Sequence, residues 1–275
     1  MGLLDGKKAL VAGVTNKKSI AWGIAQALYA QGARIAFTCL ENNIRRLKKL
    51  APQVNSDIII PCDVGKDENI SLALEEVKSE FDGDLDILIH SIAFAELDDI
   101  GGEFIGVSRS GWNTALEISA YSLIAFAREA RPLMNKSGGG SIITLSFGGD
   151  KVVPGYNIMG VAKAALEMTV RYLAYDLGPE NIRVNTISAG PIPTPSSMAV
   201  EGFSDSLRKT EECSPLLRNV TSQNIGETAV YLASDFSSAV TGAVIKVDSG
   251  MNIMCPAIRP HHKSKNRLNA GLFDK

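Results

Sequence analysis

Tyr156 and Lys163 stand seven residues apart in the run Tyr156-Asn157-Ile158-Met159-Gly160-Val161-Ala162-Lys163. That spacing is about two helical turns, so a phenol and an ammonium share one face of any helix that begins near Tyr156. Pro154 and Gly155 just ahead suit such a beginning. A phenol so held can hydrogen-bond a carbonyl oxygen as negative charge grows on it. An ammonium beside it lowers the phenol's pKa by its charge and can grip sugar hydroxyls. The plainer alternative is a surface tyrosine and a surface lysine, and the rest of the chain decides between them.

A second set of residues lies where strands end. Leu10-Val11-Ala12-Gly13 runs as a strand into a glycine, and Ser19-Ile20-Ala21 opens a helix with Gly23 one turn in. A helix N-terminus carries unpaired N–H groups and positive dipole, which suits a pyrophosphate. Gly13 permits the tight turn, and Ser19 is expected to cap the helix and offer its hydroxyl to phosphate. The G-x-G-x-x-G fingerprint is absent, and this segment alone could be an ordinary strand-to-helix turn. Asp63, in Cys62-Asp63-Val64, follows the third strand and can accept from an adenine amine. His90-Ser91-Ile92-Ala93 ends the fourth strand, beside a cofactor ribose, and Ser188-Ala189-Gly190-Pro191-Ile192 ends the sixth, at a nicotinamide. Open α/β sheets bind ligands at strand C-terminal ends, so four such segments in register point to a dinucleotide. The second strand ends Thr38-Cys39-Leu40-Glu41. A carboxylate there accepts from a ribose hydroxyl and repels a 2′-phosphate, which favours NADH. Arg45, Arg46 and Lys48 either answer a phosphate, and so admit NADPH, or form a solvated helix face.

The elements that position these groups follow an alternating pattern. Apolar runs at 9–12, 34–38, 58–61, 85–90, 141–146, 183–188 and 243–247 read as buried parallel strands. Segments 19–31, 68–81, 112–134, 160–177 and 223–233 have helical periodicity. Strand and helix in alternation give an α/β fold, a Rossmann-type, doubly wound parallel sheet of about seven strands covered on both faces. The 275 residues fit one domain, 1–255, with a basic extension at 256–275 carrying Arg259, His261, His262, Lys263, Lys265 and Arg267. Segment 191–205, with Pro191, Pro193 and Pro195, is the longest polar and non-periodic stretch, and 191–215 is read as a substrate loop region. The formal net charge of −2 gives no field that draws nucleic acid or an anionic membrane. Residues 1–8 hold no apolar signal core, and no run is long enough to span a bilayer. Cys39, Cys62, Cys213 and Cys255 are scattered without metal-ligand spacing, so no metal and no disulfide is expected, and the reducing cytoplasm is the expected location.

These stretches together resemble the short-chain dehydrogenase/reductase superfamily. Within it the chain is similar to the bacterial enoyl-(acyl-carrier-protein) reductases of the type I, fatty-acid-synthesis class, from residue 4 to about 253. The likeness rests on Gly13 followed after five residues by Ser19-Ile20-Ala21, on Cys62-Asp63-Val64 and on His90-Ser91-Ile92-Ala93-Phe94-Ala95. It rests also on Ile118-Ser119-Ala120-Tyr121-Ser122, the Tyr156–Lys163 run, Ile182-Arg183-Val184-Asn185, Ser188-Ala189-Gly190-Pro191-Ile192 and Val247-Asp248-Ser249-Gly250. The Tyr-x6-Lys spacing is the specific mark, since most of the superfamily uses Tyr-x3-Lys and that tyrosine's slot holds Met159 here.

The resemblance implies hydride transfer from NADH, or NADPH, to the β-carbon of a trans-2-enoyl thioester on acyl carrier protein or CoA, with Tyr156 on the thioester carbonyl and Lys163 on the nicotinamide ribose. It implies a cofactor site of Gly13, Ser19, Ile20, Leu40, Asp63, Val64, Ser91, Ile92, Ala93, Lys163 and Ile192, with Thr194 at the pyrophosphate. It implies a substrate pocket of Phe94, Ala95, Phe147, Tyr156, Met159, Ser196 and Met198, and a homotetramer packed through segments 112–134 and 160–177. Two departures stand on the substrate side. Ser146-Phe147-Gly148-Gly149 replaces the family's Ser-Tyr-Leu-Gly, in a loop one residue shorter, and Pro193 stands where an arginine is usual. They motivate a second reading, a related reductase of another conjugated enone or enoyl intermediate. A third reading is a protein that binds the dinucleotide without turnover.

Overall fold

In the computed structural model, residues 2–194, 197–200 and 202–255 are described. Seven strands form one parallel sheet: β1 Lys8–Ala12, β2 Arg34–Cys39, β3 Ile59–Pro61, β4 Ile87–His90, β5 Gly140–Ser146, β6 Ile182–Ala189 and β7 Val244–Val247. Their spatial order is β3-β2-β1-β4-β5-β6-β7. The order reverses between β1 and β4, which pair with Ala12 opposite His90. A crevice opens at such a reversal, beyond the carboxyl ends of the strands.

Each strand alternates its side chains between two cores. Ala9, Val11, Ile35, Phe37, Ile87, Ile89, Ile143 and Leu145 face one side. There they meet helices α1 (Ile20–Ala30), α2 (Glu41–Leu50) and, after the others, α9 (Ser222–Ala233). Leu10, Ala12, Ala36, Leu88, Ile142 and Val184 face the other. That side is covered by α3 (Asp67–Glu80), α6 (Ser122–Lys136) and α7 (Asn157–Leu177). Burial on both faces explains why the strands read as continuous apolar runs. Helices α1 and α9 approach closely because both carry glycine at the crossing: a Cβ on Gly226 would lie 2.7 Å from the carbonyl oxygen of Gly23.

The structure corrects two expectations. The periodic segment 112–134 is two helices, α5 (Arg109–Leu116) and α6, joined by a π turn at Glu117–Tyr121, with the short α4 (Leu97–Ile100) before them. Such a turn carries one residue more than an α turn, a phase change that apolar periodicity does not record. The loop read at 191–205 becomes helical at its end, where α8 (Phe203–Cys213) begins, and Ser197–Ala199 forms a 3-10 turn. The α2 and α8 helices carry few apolar residues, with Leu47 the buried residue of α2 and Thr210 and Cys213 those of α8. The basic extension 256–275 and Ser196 lie outside the described residues.

Candidate functional site

The crevice between β1 and β4 is shaped by Gly13. Its φ is +102°, and a Cβ there would lie 2.0 Å from the carbonyl oxygen of Ser91. Only glycine lets the two strand ends come so close. Ser91 itself is tied to the sheet by its N–H, which donates to Ala12. Helix α1 starts at Ile20 with Ser19 at its N-cap, but the expected cap bond is not made. Ser19 Oγ turns back and accepts from the N–H groups of Thr15 and Asn16, each at 3.1 Å. The serine therefore holds the Thr15–Asn16 loop in shape rather than capping α1. On the other side of the crevice a cleft of about 640 Å³ is lined by Leu40, Glu41, Cys62, Asp63 and Leu72 among others. Asp63 Oδ1 accepts from Gly65 N–H at 3.1 Å. The side chains of Val64 and Ile92 are half-buried against the α3–α6 core.

A dinucleotide fits this arrangement. Gly13 and the helix N-terminus suit a pyrophosphate, and the cleft, where Leu40 and Leu72 lie with the carboxylates of Glu41 and Asp63, suits an adenosine. Ile192 is buried, its side chain in the α1–α9 core. Thr194 N–H donates to Ser197 Oγ at 2.8 Å, and Ser197 Oγ donates to the Ile192 carbonyl at 2.7 Å. This small turn ties Ser197 back to Ile192 and Thr194 just beyond the end of β6.

Helix α7 delivers the tyrosine and lysine. Tyr156 is its N-cap residue, so helix begins one residue after the phenol and Lys163 follows two turns down the same face. The Tyr156 backbone N–H donates to Val153, and Gly155 before it has a φ of +76°. The next residue, Asn157, is also left-handed, at +24°. Its Nδ2 donates to the carbonyls of Gly101 and Gly102 at 2.9 and 3.0 Å, tying the segment after α4 to the tyrosine. Phe147 packs edge to face on the Tyr156 ring.

The charge relation between the pair differs from the sequence-based expectation. Burial holds the Tyr156 phenol above its ordinary range. Lys163 does not lower it, because its Nζ points inward and donates to the Leu145 carbonyl at 2.8 Å. Burial pushes the lysine itself down to about 8, against the pull of the Glu167 carboxylate. A neutral phenol is the form that donates a hydrogen bond.

Of the other residues read as substrate-facing, Met159 is buried with Ala95, Ala115, Ile158 and Ala162 in a third apolar cluster. It is part of the wall behind the tyrosine. Phe94 and Met198 are exposed, and Ala93 is exposed as well. Ser119, on the π turn, bonds both the N–H and the carbonyl of Phe94 at 3.0 Å. Ser122 and Thr144 flank the buried His90 at 2.8 and 3.0 Å. Sequence reasoning gave no roles to Ser119, Ser122, Asn157 or Glu167. The only signal was the Ile118–Ser122 stretch, whose serines lie at helical rather than strand spacing. No group of residues suited to holding a metal occurs among the described residues.

Residues 13–252 match the family model described as enoyl-(acyl carrier protein) reductase. The chain belongs to that family. The enoyl-(acyl-carrier-protein) reductase (NADH) FabI of Nostoc sp. is 50% identical over 256 residues, covering 91% of this chain and 98% of the relative. The FabI of Bacillus cereus is 49% identical over 259 residues, covering 92% of this chain and all of the relative. Among solved structures, the enoyl-(acyl-carrier-protein) reductase of Anaplasma phagocytophilum in complex with NAD superposes with a TM-score of 0.90 at 42% identity, over 94% of this chain and 98% of that one. The Bacillus cereus enzyme with NADP+ and an indole naphthyridinone gives 0.90 at 48% identity, over 93% and 100%. In this enoyl-(acyl carrier protein) reductase the crevice at the β1–β4 reversal and the start of α7 therefore form one candidate active site.

Proposed function

We propose that the protein reduces trans-2-enoyl thioesters carried on acyl carrier protein, with NADH as cofactor, in fatty-acid synthesis. The observation that carries the chemistry is the placement of Tyr156 at the head of α7 with Lys163 two turns along the same face. NADH, when bound, supplies the hydride for the β-carbon. Tyr156, a phenol that desolvation holds above its ordinary range, donates a hydrogen bond to the thioester oxygen where enolate charge collects, and the α-carbon is then protonated. Lys163 holds the nicotinamide ribose. Gly13, the amides at the start of α1, and the Leu40, Glu41 and Asp63 cleft hold the rest of the dinucleotide. Phe94, Phe147, Ser196 and Met198 are assigned to the acyl side. Glu41, first residue of α2, favours NADH over NADPH by repelling a 2′-phosphate.

The domain spans 1–255 and assembles as a homotetramer. Met168, Tyr172 and Tyr175 are exposed on α7, and their spacing makes one apolar stripe. Trp112 and Tyr121 are exposed on α5 and the π turn. The protein is cytoplasmic, a reading that the thiols of Cys39, Cys62 and Cys255, none of them in a disulfide, support. Among the described residues no helix is long and apolar enough to cross a membrane.

The test follows oxidation of NADH and, separately, NADPH by purified protein with crotonyl and longer trans-2-enoyl thioesters. Rapid NADH oxidation that Tyr156→Phe abolishes is the expected result. Binding of the dinucleotide with no oxidation by any thioester would overturn the reading. It would turn attention to another enone substrate beside Phe147.

A further inference from the structure

Lys163 and Glu167 lie one turn apart on α7, and both are buried, at 4% and 5% exposure. Both reach the last two residues of β5. Lys163 Nζ donates to the Leu145 carbonyl at 2.8 Å, and Ser146 Oγ donates to Glu167 Oε1 at 2.6 Å. The loop after β5 closes over them: a Cβ on Gly149 would lie 2.7 Å from Glu167 Oε1 and 3.0 Å from the Lys163 backbone carbon. A hydroxyl and a side-chain-free position thus seat a buried carboxylate one helical turn from a buried ammonium.

A buried ammonium without a counter-charge loses its proton or its place. The charged and titratable groups around Lys163 can be named. From β4 comes His90, which burial and the Lys163 charge keep neutral. On α7 are Tyr156, also neutral, and Glu167. Arg171, a further turn along and exposed, bonds the Glu167 backbone carbonyl. Among these groups Glu167 alone is negative.

We propose that Glu167, fastened by Ser146, is a positioning residue that keeps Lys163 charged and aimed at the ribose hydroxyls of the dinucleotide. This rests on the assignment of Lys163 to the ribose made above. Burial alone draws the lysine down to about 8, and the Glu167 carboxylate opposes that fall. Removing the carboxylate therefore moves the loss of the Lys163 proton further into the working pH range.

The test is the pH dependence of NADH binding by fluorescence titration of the full-length protein, run alongside kcat/KM, which reports the same ionisation in the free enzyme. Binding by the unsubstituted protein should weaken as pH rises through the lysine's titration. In Glu167→Gln, which keeps an acceptor for Ser146, the midpoint should fall by about one pH unit, the effect of losing an opposite charge one helical turn away. Lys163→Arg, whose guanidinium stays charged, should abolish the limb, and adding Glu167→Gln to it should add no pH-dependent loss. Glu167→Asp should hold the midpoint within about half a unit, since the charge remains. A Gln variant with the unaltered midpoint, a loss equal at every pH, or an Asp midpoint lowered by a full unit each overturns the proposal, and the Asp arm stands even where the Gln variant does not fold. Failure of the unsubstituted protein to reduce any enoyl thioester would sink the functional reading while leaving the binding result to judge Glu167.

Discussion

The ring of Phe147 stands 5.3 Å from the ring of Tyr156 at an interplanar angle of 81°. The edge-to-face contact puts the residue that departs from the family's Ser-Tyr-Leu-Gly directly beside the residue assigned to the thioester oxygen. Phe147 therefore fixes the pose of Tyr156 without offering a hydroxyl of its own.

Restoring that hydroxyl should change little. Phe147→Tyr is expected to alter kcat/KM by less than about tenfold, since one added hydrogen bond is worth about 1 kcal/mol. Phe147→Ala removes the ring contact, worth about 0.5–1.5 kcal/mol, and should lower turnover more than it lowers NADH affinity. Tyr156→Phe should cost about a hundredfold or more in kcat with NADH affinity kept. Steady-state kinetics and NADH titration of the three variants check this.

Asn157 couples the tyrosine to the segment after α4. Its left-handed φ of +24° is one that asparagine tolerates better than alanine. Asn157→Ala is expected to lose both bonds to Gly101 and Gly102 and to add about 1–3 kcal/mol of backbone strain. Asn157→Gly loses the same two bonds without adding the strain. Both should raise the KM for the enoyl thioester, and only the alanine variant should also lower Tm markedly. Equal Tm values in the two variants would sink the strain argument.

Gly13 tests the crevice. Alanine there meets the Ser91 carbonyl oxygen at 2.0 Å, and backbone cannot yield as a side-chain tip can. NADH affinity is expected to fall by about tenfold or more, with overpacking costing about 1–3 kcal/mol of stability. Calorimetric titration and thermal melting read the two effects separately.

His90 sets an acid limit on stability. Burial, helped by the Lys163 charge, pushes its pKa down to about 3 from 6.5. Between those values the unfolded chain holds a proton that the folded chain does not. Stability is therefore full above the unfolded value and falls as pH drops through that window. His90→Gln should flatten the decline of Tm between about pH 6 and pH 4 relative to the unsubstituted protein. An unchanged slope in thermal melts across that range would remove His90 from the account.

Much of the architecture was legible because each strand is buried on two faces. Runs such as Leu88-Ile89 and Ile142-Ile143 leave no polar alternation, and the helices between them force a parallel sheet. Helices α2 and α8 were not legible as elements because their apolar faces are narrow. The π turn at Glu117–Tyr121 was not legible because one added residue in a turn leaves no mark in composition.

The sequence by itself determined the doubly wound parallel sheet, the placement of Gly13, Asp63, Ser91 and Ile192 at or just beyond strand ends, and the Tyr156–Lys163 spacing, because spacing along the chain is translated into position by regular helix and strand geometry. Only the tertiary structure decided which way side chains at those positions turn. Ser19 faces its own loop rather than the helix amides, Lys163 faces the end of β5 rather than the phenol, and Glu167 joins them from a turn away. These outcomes depend on partners distant in sequence and on the cost of burying charge without them, neither of which a local pattern contains.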